Sequence, residues 1–575
     1  MRAAISLFAV VACAGGLAAA DPIVPNAGRH TSSGFLARAS DDGKTVVTLG
    51  SEFCVRVWDV ATGTQVRELW VNPLLNITEQ WNVMWLAPDG KTLALRYHTK
   101  DEPRGRLALV PLDGPNVGTY RVVGGHPFDV DHVCFSPDGK RIATACKCPP
   151  VVVWDVATGK RVCEIQHDAD LRASGLAFTP DGKKLTASLP VANVGEDKRS
   201  TIATHDAATG KRLSAFEHGN GTPIDYGRPM WAPDGETLAL HRDVLTLREP
   251  DGALRRTIGT THTVPGKVTY PVAADFDAKG RLLVAWHESG EWLVRDEIAN
   301  KDLARIKRPD PLREPRISFT ASGHALVRGS ERLAVYDLNA KAPVAREFRV
   351  AVPPVAGLGW ATGPTLAWGS DARSNTTANV DPLGAALDFD TLRSVPVPAK
   401  GVTRRVFEWD GAKIYNEGSR ALTVTNGKSV VLDFKAGYDW EGIESATLLG
   451  PGYSVASTSD GLITFDSKTG QRLTAHKSDG SAVLSASPGA RFFAAAKGYD
   501  PLIRVYDPKR AEPVLTVFAA GEEWVAWTPA GAWASSPAAG KWAGTLTKPA
   551  AGKLPTFVPF DPKLRDPDKV KAALK

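Results

Sequence analysis

Residues 132–162 read HVCFSPDGKRIATACKCPPVVVWDVATGKRV, and residues 35–66 read FLARASDDGKTVVTLGSEFCVRVWDVATGTQV. Both stretches place short apolar runs on either side of two turn sequences, Asp-Gly-Lys and Ala-Thr-Gly. Glycine in these turns accepts the positive φ that a tight connection between antiparallel strands requires. Each stretch therefore predicts a unit of four strands, in which the third strand ends on Trp-Asp.

The first turn recurs along most of the chain, which indicates an internal repeat. Its glycines are Gly43, Gly90, Gly139, Gly182, Gly235, Gly280 and Gly323, followed by weaker copies at Gly363, Gly411, Gly450 to Gly452, Gly489 and Gly531. Twelve turns between Gly43 and Gly531 give a mean period of about 44 residues, which is in the range of a four-stranded propeller blade. The second turn repeats in phase at 59–63, 155–159, 206–210 and 466–470. Two turns in register at each period predict an all-β repeat fold.

The SPDGK and WDVATGK motifs resemble those of bacterial secreted WD40-repeat proteins, over about residues 34 to 520. The resemblance implies tandem β-propellers built from about twelve degenerate four-stranded repeats. It also implies a structural signature in the two clearest units. This signature consists of the Trp58–Asp59 and Trp154–Asp155 dipeptides, with His126, Thr144 and Trp154 joined by hydrogen bonds. WD40 blades usually add an Asp to this network, and none stands in the loop from Cys146 to Pro150.

Twelve blades in one ring would leave a wide unfilled channel, so two propellers of six to eight blades are expected. The segment from Lys301 to Pro315 is charged and contains proline, as domain boundaries tend to be. The predicted domains are an N-terminal propeller over 21–310 and a C-terminal propeller with a closing segment over 311–575. A helix is expected only near the C-terminus, from Pro567 to Leu574.

Residues 1–20 have the pattern of a secretory signal, with Arg2, an apolar run and Ala18-Ala19-Ala20 as the cleavage site. The expected mature protein begins at Asp21 and is exported, to the periplasm or the extracellular space. An alternative is lipid attachment at Cys13, because the residues before it loosely resemble a lipobox. Beyond the signal, no apolar run approaches the roughly 20 residues that span a bilayer.

The charge pattern does not predict nucleic-acid binding. The 69 Lys and Arg residues and 63 Asp and Glu residues are spread along the chain without a basic block. Binding to a phosphate backbone favours basic residues gathered on one face together with stacking aromatic side chains. Folding could still gather a basic patch that the linear sequence does not show.

No catalytic residue, cofactor site or metal site is predicted, because common catalytic and phosphate-binding motifs are missing from the sequence. His126 and His132 are interpreted as hydrogen-bonding residues at a blade end. Five cysteines follow the signal, and the favoured interpretation is that they are small buried apolar residues. For Cys146 and Cys148, a vicinal bridge or half of a metal site are the alternatives. The cysteines are Cys54, Cys134, Cys146, Cys148 and Cys163.

These features favour a protein-binding or scaffolding module without catalysis, whose partners are other proteins. Propeller blades bury their faces against one another and leave rigid loops at the two ends of the ring, where recognition occurs. The long polar segments 98–106 and 189–199 are the expected contact loops. The alternative is a propeller hydrolase or lyase with a site in the central channel, since such a site leaves no linear motif.

Overall fold

A computed structural model describes residues 24–575 of the chain with internal gaps. The residues left out within this range are 31–34, 51, 72–83, 98–104, 147–148, 168–172, 174, 191–198, 220–228, 241–244, 259–262, 265–266, 269–270, 289, 310–315, 330, 342, 344, 353–354, 356, 362–363, 370–382, 400–401, 403–407, 410–411, 418–419, 426–427, 432–444, 451, 459–460, 477–482, 488–490 and 497–500. The predicted signal, the lipid site at Cys13 and Cys148 lie outside the described residues.

The described chain folds into a series of antiparallel sheets, each made from consecutive strands. We call each sheet a blade. After strand β1 (Val24–Pro25), blades 1 to 4 comprise β2 (Leu36–Ala39), β3 (Thr45–Leu49), β4 (Cys54–Asp59), β5 (Thr64–Trp70); β6 (Met84–Leu86), β7 (Thr92–Tyr97), β8 (Arg106–Pro111), β9 (Arg121–Gly124); β10 (His132–Phe135), β11 (Arg141–Ala145), β12 (Val151–Asp155), β13 (Arg161–Ile165); and β14 (Gly175–Phe178), β15 (Lys184–Pro190), β16 (Arg199–Asp206), β17 (Arg212–Gly219).

Blades 5 to 7 follow the same order, with one two-stranded hairpin inserted after blade 5. They comprise β18 (Pro229–Trp231), β19 (Leu238–Leu240), β20 (Leu245–Arg248), β21 (Leu254–Ile258); the hairpin β22 (Thr263–Val264) and β23 (Lys267–Val268); β24 (Pro271–Phe276), β25 (Leu282–Glu288), β26 (Glu291–Asp296), β27 (Lys301–Lys307); and β28 (Arg316–Phe319), β29 (His324–Arg328), β30 (Arg332–Asp337), β31 (Ala345–Arg349).

Blades 8 to 10 have four strands, and blade 11 has six. They comprise β32 (Gly357–Trp360), β33 (Thr365–Gly369), β34 (Ala385–Asp388), β35 (Arg393–Val395); β36 (Glu408–Trp409), β37 (Ala412–Glu417), β38 (Arg420–Thr425), β39 (Lys428–Val431); β40 (Ser445–Gly450), β41 (Tyr453–Thr458), β42 (Gly461–Asp466), β43 (Arg472–His476); and β44 (Val483–Ala486), β45 (Phe493–Ala496), β46 (Leu502–Tyr506), β47 (Leu515–Ala520), β48 (Glu523–Trp527), β49 (Trp533–Ser535).

The repeated turns are the local cause of this architecture. The seven strong first-turn glycines connect the first and second strands of blades 1 to 7, with φ between 68° and 79°. A side chain with a Cβ rarely adopts this conformation, so glycine is required there. The twelfth predicted turn, at Gly531, joins β48 to β49 and extends blade 11 by a hairpin. The all-β fold of tandem WD40-like blades is confirmed, and the described chain contains eleven sheets of this kind.

Blades 1 to 7 close into a ring. Buried apolar clusters join each blade to the next, from blade 1 through to blade 7. A seventh cluster closes the cycle, because Leu326 and Val335 of blade 7 pack with Val46 and Trp58 of blade 1 and with the adjacent Phe35. A backbone hydrogen bond also joins these two blades, because the amide of Ser322 in blade 7 donates to the carbonyl of Asp41 in blade 1.

This closure bears on the predicted boundary at residues 310 and 311. That boundary separates β27 from β28, which belong to two blades that share one apolar cluster. Blade 7 also completes the ring with blade 1. The contacts therefore favour a first ring that extends to Arg349, because closure depends on packing between residues almost 300 positions apart. The division into two domains stays a prediction.

Blades 8 to 11 form a second group of contacts. Blade 11 lies between blades 8 and 10, since it shares one apolar cluster with each of them. Blade 9 contacts blade 10 through β37 and β40. The short helix α1 (Pro567–Ala572) buries Val570 in the cluster between blades 8 and 11. This helix confirms the expectation for the C-terminus, and a single-turn 3₁₀ helix (Pro562–Leu564) precedes it.

The two terminal segments connect the second group of blades to the first ring. Strand β1 pairs with β50 (Ala543–Leu546), which pairs with β51 (Phe557–Pro559). Leu554 lies in the apolar cluster of blades 1 and 2, and the ring of Phe557 stacks on Trp70 at 5.9 Å. His30 forms a parallel bridge with Ala351, which follows blade 7. The N-terminal segment is thus held between blade 1 and the end of the chain.

Candidate functional site

A buried chain of hydrogen bonds spans blade 3 and contains three of the predicted signature residues. The Nε2 atom of His126 lies 2.7 Å from Oγ1 of Thr144, and Nε1 of Trp154 donates to the same oxygen at 2.8 Å. His126 and Trp154 are nearly buried, and Thr144 is fully buried. The chain links the loop before blade 3 to its second and third strands. The structure therefore brings His126, Thr144 and Trp154 together.

Blade 1 contains the same chain, which was not predicted from the sequence. The Nε2 atom of His30 lies 2.6 Å from Oγ1 of Thr48, and Nε1 of Trp58 donates to that oxygen at 2.8 Å. The available signal was spacing, because both chains place histidine 18 residues before threonine, and threonine ten residues before tryptophan. His30 precedes the quoted repeat by five residues and was not assigned to it.

Glu52, in the connection between the second and third strands of blade 1, adds a carboxylate to the chain there. Its Oε1 atom lies 2.6 Å from Nδ1 of His30 and also accepts a hydrogen bond from Arg56. Arg56 is fully buried and donates to Oδ1 of Asn26 at 3.0 Å, and Nδ2 of Asn26 donates to Glu68 at 2.9 Å. A buried ionic network therefore fixes the N-terminal segment on blade 1, in addition to the chain through Thr48.

The ionisation of these groups follows from burial and charge. Burial alone would raise the pKa of Glu52, but His30 and Arg56 lower that pKa to about 2. Burial lowers the pKa of His30 below its usual value, although Glu52 opposes the shift. Burial, with a contribution from Arg161, lowers the pKa of His126 to about 4. Both imidazoles are therefore neutral near pH 7 and serve as hydrogen-bonding groups there.

Asp59 and Asp155, the remaining signature residues, act in the second turn of their blades. Each carboxylate accepts a hydrogen bond from a backbone amide at 2.7 Å, from Thr62 and Thr158 respectively. The threonine hydroxyls donate to the same carboxylates. Hydrogen bonds from these threonine side chains lower the pKa of both aspartates. The two residues are half-buried turn formers, separate from the buried chains.

Other blades use different side chains to form buried hydrogen bonds with threonine or tryptophan. In blade 4, where His205 replaces the tryptophan, Oγ1 of Thr186 lies 2.9 Å from Oγ1 of Thr204 and accepts from Trp231 of blade 5 at 3.1 Å. In blade 6, Nε1 of Trp286 donates to the buried Glu297 at 2.7 Å. The repeat keeps its sheet geometry while the buried polar contacts vary, which explains why later units are hard to recognise from sequence.

The strand directions divide the ring into two ends. Within each blade, the turns between strands one and two and between strands three and four lie at one end, which we call the turn end. The connections between strands two and three and between successive blades lie at the other, the loop end. The expected contact loops 98–106 and 189–199 connect strands two and three, and most of each lies outside the described residues. Their role stays a prediction.

The cysteines and other possible ligands give no metal centre among the residues that the structure describes. Cys54 and Cys163 are buried free thiols, Cys146 is buried, and Cys134 is half-buried. These positions agree with the interpretation of cysteine as a small apolar residue. Within the same described ranges, no group of three or more His, Cys, Asp or Glu side chains could hold a metal ion. No helix in the described chain is long and apolar enough to cross a membrane.

Comparison with known proteins finds similarity over part of the chain. The model of the WD domain, G-beta repeat, matches residues 117–155, which include His126, Thr144, Trp154 and Asp155. The chain is 24% identical to a subunit of chromatin assembly factor 1 from Gallus gallus over 233 residues, which cover 34% of this chain and 40% of that protein. It is 28% identical to WD repeat-containing protein 1 of Mus musculus over 127 residues, covering 21% of this chain and 19% of the relative.

A third relative is protein hir1 of Schizosaccharomyces pombe, 25% identical over 127 residues, which are 22% of this chain and 13% of the relative. The matches thus span less than half the length of each of these relatives. These relatives are eukaryotic, so the comparison does not bear on the expected bacterial secreted origin. The repeated four-stranded sheets are those of tandem WD40-like blades, and the WD-domain match and the WD-repeat relatives support a WD40 β-propeller fold.

Proposed function

We propose that this protein is an exported scaffold that binds other proteins through the end surfaces of its ring, without catalysis. The observation that carries the proposal is the closed cycle of seven apolar interfaces in blades 1 to 7. Such packing holds the described turns between strands in fixed positions, and rigid turns lose little conformational entropy when a partner binds.

The relatives support the binding role. One of them is named as a subunit of a chromatin assembly factor, and another is named for its WD repeats. A subunit of an assembly contributes contacts to other proteins, and a similar role for this chain is the simplest use of the same repeat. The similarity between this chain and its relatives concerns the fold, and a shared fold does not specify a binding partner. The partner therefore has to be identified by experiment.

The test of the binding role uses the full chain expressed with its own leader. Cross-linking in the exported fraction identifies candidate partners, and each candidate is then produced separately and titrated against the purified protein. We expect at least one purified partner to bind with a Kd below about 10 µM, which corresponds to roughly 7 kcal/mol. Failure of every purified candidate to bind, together with turnover of a substrate by the pure protein, would favour the channel enzyme instead.

Export is part of the proposal and rests on residues 1–20. The mass of the intact protein from its native host shows at which residue the mature chain begins. A mature chain that begins at Asp21 supports export by signal cleavage. A chain that retains Met1 contradicts export, and an acylated Cys13 at the new N-terminus supports the alternative of a lipid anchor.

A further inference from the structure

Folding gathers basic side chains on the turn end of blades 3 and 4, although the sequence contains no basic block. Two turns from each blade meet there, at residues 138–141, 155–161, 181–184 and 206–212. These four turns carry eight Lys and Arg residues against four Asp residues. We call this surface the basic face.

Direct contacts between the two blades make the basic face continuous. The guanidinium of Arg141 in blade 3 donates to the carbonyl oxygen of Gly182 at 2.6 Å and reaches that of Ala207 at 3.4 Å, so it touches both turns of blade 4. Within each blade the two turns are also bonded, since Val156 donates to Lys140 and Ala207 to Lys183 through backbone atoms at 2.8 Å. The four turns that carry the charges are therefore held in fixed relative positions.

The five lysines of the basic face are available for a partner, whereas Arg161 is paired with Glu164. Lys140, Lys160, Lys183, Lys184 and Lys211 are exposed, and none of them lies within ion-pair distance of a carboxylate in the described part of the chain. The four aspartates are instead engaged within their own turns. Asp138, for example, accepts from the Ser136 hydroxyl at 2.6 Å and from the Lys140 amide at 3.1 Å.

The neighbouring blade marks the end of the basic face. In blade 5 the corresponding turns carry Asp234, Glu236, Glu249 and Asp251. There Arg255 is paired with Glu249, and Arg256 donates to the carbonyl of Glu297 at 2.9 Å. The excess of positive charge therefore ends at blade 5, and a local excess of one charge is the pattern expected for a recognition surface.

Exposed apolar side chains lie next to the basic face, just outside its four turns. Val162 and Leu213 stand next to Arg161 and Arg212 on the outer strands, and they are 37% and 50% exposed. The exposed large aromatic residues in the described chain are Phe128 and Tyr453, and neither lies in these four turns. Binding of single-stranded nucleic acid relies on stacking of bases on aromatic rings, whereas leucine and valine suit the side chains of a protein.

We infer that the basic face of blades 3 and 4 binds an acidic protein segment that also carries apolar side chains. Carboxylates of the segment pair with the unpaired lysines, and its apolar side chains cover Val162 and Leu213. This inference rests on the proposed protein-binding function and assigns its partner class and its surface. It places recognition at the turn end, opposite the loops expected from the sequence.

The test measures fluorescence anisotropy with the full chain and three probes. The first is a peptide of four Asp-Glu-Leu repeats, the second replaces each Leu with Ser, and the third is a short single strand of deoxythymidine. We expect the leucine peptide to bind at least threefold more tightly than the serine peptide, and more tightly than the oligonucleotide. Binding should weaken as salt increases, because the contacts are exposed ion pairs.

Two charge-reversal variants distinguish binding by the basic face from an effect of the overall charge of the protein. The test variant combines Lys160→Glu, Lys183→Glu, Lys184→Glu and Lys211→Glu, and should weaken binding of the leucine peptide by about tenfold or more. The control combines Lys301→Glu, Lys341→Glu, Lys468→Glu and Lys509→Glu, which are also exposed and unpaired in the described chain, and should change binding less than twofold. Leu213→Ser should weaken binding about threefold.

Several outcomes overturn the inference. Equal weakening by both variants would show a general charge effect, and preference for the oligonucleotide would indicate a nucleic-acid surface. No binding of the leucine peptide by a protein that still binds a purified partner would reject the basic face while the proposed function stands. If a purified partner is bound equally by wild type and by the test variant, recognition lies elsewhere on the molecule.

Discussion

The hydrogen-bond chain of blade 3 can be tested by replacing Thr144 with valine. The substitution keeps the shape of the side chain and removes only the hydroxyl that joins His126 to Trp154. Both partners are buried, with exposed fractions of 4% and 7%, so each is left with a polar atom that water cannot reach. An unsatisfied buried polar group costs about 1–3 kcal/mol, and Thr144→Val should therefore destabilise the first ring by roughly 3 kcal/mol.

Calorimetry and hydrogen exchange measure this effect together. For a unit of this size we expect the transition of the first ring to fall by about 5 °C. Amides of β11 and β12 should lose protection, while those of blade 10 should not change. The double variant Thr144→Val with Trp154→Phe should lose less stability than the sum of the two single variants. Phenylalanine has no indole N–H, so no buried donor is left without an acceptor at that position. A Thr144→Val protein within about 0.5 kcal/mol of wild type would refute the role of the hydroxyl.

Three further predictions concern charge and the terminal segments. The pKa of His126 is lowered to about 4 in the fold from 6.5, so its contribution to stability is complete above pH 6.5 and is lost as the pH falls towards 4. His126→Gln should therefore make the unfolding temperature depend less on pH between pH 6.5 and pH 4. An unchanged pH dependence would contradict the lowered pKa of His126. Glu52 has a pKa lowered from 4.5 to about 2, so its contribution is present above pH 4.5 and is lost as the pH falls towards 2. At pH 7, Glu52→Gln should cost about 3 kcal/mol in urea unfolding because buried Arg56 loses its carboxylate, whereas the exposed control Glu347→Gln should cost less than about 0.5 kcal/mol. Leu554→Ala with Phe557→Ala should increase hydrogen exchange in β1 and β5, since these side chains pack on blades 1 and 2, and exchange equal to wild type would show that the terminal segment does not hold blade 1.

Local features of the fold were predictable because they depend on short-range chemistry. The turns at Gly139 and Gly159 need positive φ, and the Asp-Gly and Thr-Gly sequences specify them directly. The contacts of His126, Thr144 and Trp154 followed from the resemblance to WD40 repeats. The short C-terminal helix was also expected, and it begins where Asp566 accepts a hydrogen bond from the Lys569 amide.

Features that depend on contacts between distant residues were not predictable in the same way. Ring closure is decided by the packing of Phe35 and Trp58 with blade 7, and no local pattern shows which blade meets the first one. The basic face arises because two blades bring four separated turns together, each with an ordinary sequence. Glu52 was missed because it gains its partner only when the N-terminal segment folds back on blade 1.

The central claim, that the end surfaces of the ring bind a protein, is tested most directly by hydrogen exchange of the full chain with and without a purified partner. We expect exchange to fall in the turns at 138–141, 155–161, 181–184 and 206–212, and to stay unchanged in the buried strands β11 and β12. A partner that binds without changing exchange anywhere between residues 36 and 349 would contradict the claim.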